Sequence, residues 1–109
     1  MDRQAAYQQA KELVAAMTLE EKASQLRYDA PAIPRLGIPA YNWWGEALHG
    51  IARAGTATVF PQAIGLAAMF DPDFLKEIAG AIALEGRAKY NEASALEDRG
   101  IYKGLTFWS

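Results

Sequence analysis

The chain has 109 residues, 51% hydrophobic and 22% charged, so it carries enough apolar surface for a core and does not read as disordered. A formal net charge of -2 offers no cationic field for nucleic acid, and the absence of cysteine beside a single histidine, His49, removes disulfides, thiol nucleophiles and the usual Cys/His zinc sites. One small domain is the expectation at this length, and a complete (β/α)8 barrel, which needs about 250 residues, is excluded.

Residues 3–17 place Tyr7, Ala10, Val14 and Met17 on one helical stripe and leave Gln8, Lys11 and Glu12 for solvent. Thr18-Leu19-Glu20-Glu21 is a capping-box pattern, which predicts a second helix over 19–27 with Leu19, Ala23 and Leu26 inward. Pro31, Pro34, Gly37 and Pro39 forbid helix over 29–39 and predict an extended approach to Tyr41-Asn42-Trp43-Trp44. Residues 45–50 leave room for a single helical turn between two glycines, and 56–60 is a short β-branched run stopped by Pro61. Asp71-Pro72 announces the clearest helix: Asp71 suits the N-cap and Pro72 the first helical position. That helix should run to about Tyr90, with Phe74, Ile78, Ala81, Ile82 and Glu85 on one face. Residues 91–104 read as a polar loop, and 105–109 as a strand that carries two aromatic residues, Phe107 and Trp108.

The longest apolar stretch, 63–70, is far shorter than the roughly 20 residues of a spanning helix. The start of the chain shows no apolar h-region or cleavage site, so a cytoplasmic location and no membrane partner are expected.

No serine stands in a Gly-x-Ser-x-Gly turn, and no phosphate-binding glycine loop appears. No spacing among the 13 acidic residues selects a hydrolytic carboxylate pair. Residues 41–50 stand apart, because two adjacent tryptophans, Glu46 and the lone histidine fall together in a Pro/Gly-bounded segment. An aromatic face packs on the C–H side of a pyranose, and a carboxylate accepts from vicinal hydroxyls. The same residues also fit a plain structural account, in which the tryptophans, Trp108 included, fill a core, Glu46 sits in a helical turn and His49 bonds a carbonyl.

Tyr41-Asn42-Trp43-Trp44-Gly45-Glu46-Ala47-Leu48-His49-Gly50, preceded by Pro34-Arg35-Leu36-Gly37-Ile38-Pro39, resembles the N-terminal region of family 3 glycoside hydrolases, on the β-xylosidase / arabinofuranosidase side. Met17-Thr18-Leu19-Glu20-Glu21-Lys22, Thr58-Val59-Phe60-Pro61-Gln62-Ala63-Ile64-Gly65-Leu66-Ala67, Glu85-Gly86-Arg87-Ala88-Lys89-Tyr90-Asn91 and Gly104-Leu105-Thr106-Phe107-Trp108-Ser109 agree in order. The resemblance implies an α/β fold, the N-terminal part of a (β/α)8 TIM-like barrel that is mostly helical here, with residues 1–109 an incomplete barrel domain. It implies a retaining exo-β-glycosidase acting on terminal xylosyl residues of xylo-oligosaccharides, whose nucleophile and acid/base lie outside this chain. No catalytic residue, cofactor or metal is therefore expected in it. Substrate contact is expected at Glu46, Trp44 and Trp108, and structural support at His49. The expected partners are an oligosaccharide, the remainder of the barrel and an α/β sandwich domain. A β-glucosidase parent and a small non-catalytic sugar-binding module are the alternatives.

Overall fold

Side-chain caps open three of the helices. The computed structural model describes residues 2–108, so Ser109 lies outside the described residues. Asp2 accepts from the Gln4 N–H at 3.2 Å and starts α1 (Arg3–Ala16). Thr18 accepts from the Glu21 N–H at 3.2 Å while Glu21 accepts from the Thr18 N–H at 2.8 Å, the predicted capping box, and α2 (Leu19–Ser24) follows. Asp71 accepts from the Phe74 N–H at 3.0 Å with Pro72 in the first turn, and α4 (Pro72–Ala95) runs from there.

The chain divides into two units, Met1–Tyr41 and Asn42–Ser109. The first holds α1, α2 and a two-residue strand β1 (Asp29–Ala30), which pairs with β2 (Tyr41–Asn42), the strand in which this unit ends. Its buried apolar residues are Ala30 and Ile33. Helix α1 buries none of its side chains, and Leu19 and Leu26 are 77% and 82% exposed, so the inward stripe expected for α2 is not realised. The second helix also stops at Ser24 rather than Arg27, where the chain turns instead towards β1.

Residues 29–39 are not extended throughout. Pro34–Leu36 form a 3-10 turn, because proline fits a first helical position and Gly37, at φ 66°, ends the turn in the left-handed region. The turn brings Ile33 and Ile38 into an antiparallel pair that exchanges both backbone hydrogen bonds, at 2.9 and 3.2 Å. The prolines that forbid an α-helix therefore build a closed loop.

In the second unit, Ile51, Leu66, Ile78 and Ala93 are buried. Two short elements precede the long helix: a 3-10 turn (Ala52–Ala54) and α3 (Ala63–Ala67), which carries Leu66 inward. Helix α4 turns Ile78, Gly86 and Ala93 inward, with Ile82 and Glu85 half-buried between them, while Phe74 and Ala81 remain exposed. Gly86 gives the Phe107 ring its seat, since a Cβ there would stand 3.0 Å from Phe107 Cζ.

The loop expected from Asn91 onward begins later, at Leu96. The helix closes with the Glu97 N–H on the Ser94 carbonyl and the Asp98 N–H on the Ala93 carbonyl, with Glu97 at φ 56°. This is the Schellman arrangement, with glutamate where glycine is usual. Residues 45–50 form no helical turn and 56–60 no strand. The described molecule is thus mixed, with helices and one two-stranded sheet.

Candidate functional site

Glu46 and Trp108 are register partners in a parallel bridge. The Trp108 N–H donates to the Gly45 carbonyl at 3.0 Å, and the Ala47 N–H donates to the Trp108 carbonyl at 2.7 Å. Gly45 permits the approach, since a Cβ at this position would lie 2.6 Å from the Thr106 carbonyl oxygen. Trp44 is tied in from both sides. Its N–H donates to Asn42 Oδ1 at 3.0 Å, and its carbonyl accepts from the Tyr102 N–H at 3.0 Å. The bridge thus brings Trp44, Glu46 and Trp108 to one short piece of paired backbone.

Neither Trp44 nor Trp108 fills a core, with exposures of 42% and 62%. Glu46 belongs to the bridge rather than to a helical turn, and its side chain is partly covered. The helical turn of the plain account is thus absent at Glu46, whereas the carbonyl bond it gives His49 is present. His49 Nδ1 donates to the Phe60 carbonyl at 2.8 Å, and the Phe60 N–H returns a bond to the His49 carbonyl at 2.8 Å. These two bonds cinch residues 49–60 into a loop that Gly50 enters at φ 126°, where a Cβ would stand 2.3 Å from the Thr58 carbonyl oxygen.

The loop is pinned to α4 at two points. Glu85 accepts from Thr58 Oγ1 at 2.5 Å and from the Thr58 N–H at 3.0 Å. The Thr58 hydroxyl, then the amide, hold the Glu85 carboxyl below the usual carboxylate range. Lys89 Nζ donates to the Ala54 carbonyl at 3.2 Å. The turn Ala52–Ala54, which ends at the Lys89 pin, presents Arg53, whose Nη1 donates to Glu46 Oε1 at 3.2 Å and lies 3.4 Å from Oε2.

A cavity of about 210 Å³ opens here, lined by Glu46, Leu48, His49, Gly50, Arg53 and Val59. Glu46 is the one carboxylate among these described lining residues, whereas retaining glycoside hydrolysis uses two. A carboxylate offers about four acceptor sites, so Glu46 can serve Arg53 and still accept from hydroxyl groups. Neither Trp44 nor Trp108 is among the described residues that line this cavity, so the tryptophans share paired backbone with Glu46 and not its cavity. Among the described residues no group of three or more His, Asp or Glu could hold a metal ion, and no helix is long and apolar enough to cross a membrane.

The residue types of Trp44, Glu46 and Trp108 are visible in the sequence, but their union depends on a pairing that no local pattern announces. Arg53 is missed altogether. It carries no motif, and only the turn that lifts it towards Glu46 reveals it.

Comparisons with known proteins find xylosidase-related sequences. The chain is 45% identical over 111 residues to a probable exo-1,4-beta-xylosidase of Neosartorya fischeri, covering 92% of this chain and 13% of that protein. A probable exo-1,4-beta-xylosidase of Aspergillus terreus is 46% identical over 92% of this chain and 14% of its own length. A probable beta-D-xylosidase 7 of Arabidopsis thaliana is 46% identical over 92% of this chain and 13% of its own. The chain thus spans a small part of the relatives it matches. No family model matches it.

Proposed function

We propose that this chain is part of a family 3 glycoside hydrolase of the β-xylosidase type, contributing the first β/α elements of its barrel and one side of the pocket for a terminal β-xylosyl residue. The observation that carries this reading is the parallel bridge that makes Glu46 and Trp108 neighbours. Parallel pairing is what successive barrel strands use, and residues at such strand ends face the substrate in barrel enzymes. The names of the relatives favour xylose over glucose as the sugar. Glu46 accepts from vicinal hydroxyls, Trp44 walls the sugar, and Trp108 packs on its C–H face. The nucleophilic aspartate and the acid/base glutamate of a retaining mechanism are supplied by other parts of the enzyme, so the 109-residue chain alone binds sugar and cleaves nothing.

A chimera tests this in context. The chain replaces the matching stretch of the Arabidopsis relative, and hydrolysis of an aryl β-xyloside is measured. Turnover is expected to persist, and Glu46→Ala to lower kcat/KM about 100-fold, as loss of charge-assisted hydroxyl bonds predicts. An active chimera indifferent to Glu46→Ala overturns the reading. So does aryl β-xyloside turnover by the 109-residue chain alone that Glu46→Ala abolishes.

A further inference from the structure

Arg53 does more than neutralise Glu46. Its guanidinium lies over the Tyr102 ring, 5.3 Å from the centroid, while Nη1 spans both carboxylate oxygens. Tyr102 in turn donates its backbone N–H to Trp44, the residue beside the Gly45–Glu46 bridge. It does so from φ 64°, a left-handed conformation that tyrosine rarely adopts and that clusters at functional sites. The backbone on the other side is equally constrained. The Ala54 N–H donates to the Ile51 carbonyl at 3.0 Å, and Lys89 holds the Ala54 carbonyl. Glu46, Arg53, Tyr102 and Trp44 thereby form a closed relay.

We propose that Arg53 and Tyr102 are positioning residues that hold the Glu46 carboxylate in one orientation for the sugar hydroxyls; the sugar part of this inference rests on the function proposed above. The Arg53 side chain is 64% exposed, and an ion pair so placed adds little to stability. What it does supply is order. A glutamate has three side-chain torsions to fix before it can accept two hydroxyls, and a planar guanidinium stacked on a ring fixes them in advance. Tyr102 acts through its ring, so its hydroxyl is dispensable.

Two measurements on the 109-residue chain test this. The first is the Glu46 Hα–Hβ scalar couplings, which need no ligand. They are expected to report a single rotamer, to average in Arg53→Gln and to stay unaveraged in Tyr102→Phe. Averaged couplings in the unsubstituted chain, or unaveraged ones in Arg53→Gln, overturn the inference.

The second is xylose affinity read by tryptophan fluorescence, with circular dichroism confirming that each variant is folded. Arg53→Gln is expected to weaken binding about fivefold without lowering the melting temperature, and Arg53→Lys to restore part of the loss. Adding Arg53→Gln to Glu46→Gln is expected to cost nothing further, because the first acts through the second. Additive losses overturn the positioning role. If Glu46→Gln leaves xylose affinity unchanged, or the unsubstituted chain binds none, the proposed function fails, and the couplings still decide whether Arg53 orients Glu46.

Discussion

The two units reach order by different means. In the first, helix α1 buries nothing, and the ties are polar and exposed: Arg35 clasps Glu21 and the Ala16 carbonyl, and Arg27 clasps Asp29. In the second, apolar side chains are buried along α4, and the backbone closes on itself where glycine alone fits. Exposed ion pairs are weak and screened by salt, whereas a close backbone approach is insensitive to salt and intolerant of a single methyl group. Close backbone approach thus distinguishes the second unit, which also holds the exposed Arg53–Glu46 and Lys103–Asp98 ion pairs, the former at the candidate site.

The largest effect belongs to the second unit. Gly50→Ala forces a Cβ to 2.3 Å from the Thr58 carbonyl oxygen at φ 126°. It is expected to destabilise by about 3 kcal/mol in urea unfolding, with no dependence on salt. Gly45→Ala, with its 2.6 Å clash against Thr106, is expected to cost about 2 kcal/mol and to break the bridge to Trp108. A salt-dependent loss in either variant would erase the contrast between the units.

Acid probes the first unit. The Arg35 guanidinium, then the Thr18 amide, lower the Glu21 carboxyl from 4.5 to about 2. Because the folded value lies below the unfolded one, the stabilisation is fully present above about pH 4.5 and is lost as pH falls towards 2. Glu21→Gln is expected to remove that acid-side slope, read by circular dichroism between pH 5 and pH 2 at low salt; an unchanged slope would place the acid sensitivity elsewhere. Smaller still is Glu97→Gly at the end of α4. Relief of the left-handed backbone at φ 56° is expected to add about 0.5–1 kcal/mol.

Local signals were legible in the sequence and long-range ones were not. The Thr18–Glu21 box and the Asp71-Pro72 start are set by residues within one turn of each other, and both form as read. The end of α4 is not legible because its left-handed cap is glutamate, which sends no signal that glycine would send. The Pro34 turn is not legible because proline excludes an α-helix interior yet suits the start of a short 3-10 turn. Among the candidate site residues, Trp44 and Glu46 stand out by composition. Trp108 does so only through the family resemblance, since its partner is far away in the chain. Arg53 and Tyr102 depend on a loop cinched by His49 and Phe60, and nothing in their neighbouring residues foretells it.

The most direct test of the central claim is a ¹H–¹⁵N correlation titration of the chain with xylose. The indole resonances of Trp44 and Trp108 and the amides of Gly45, Glu46 and Ala47 are expected to move together and saturate, while those of α1 and α2 stay still. Shifts confined to the exposed apolar residues around Leu19 and Leu26, or no saturable shift at Trp44, Glu46 and Trp108, would contradict a sugar site on the paired backbone of the second unit.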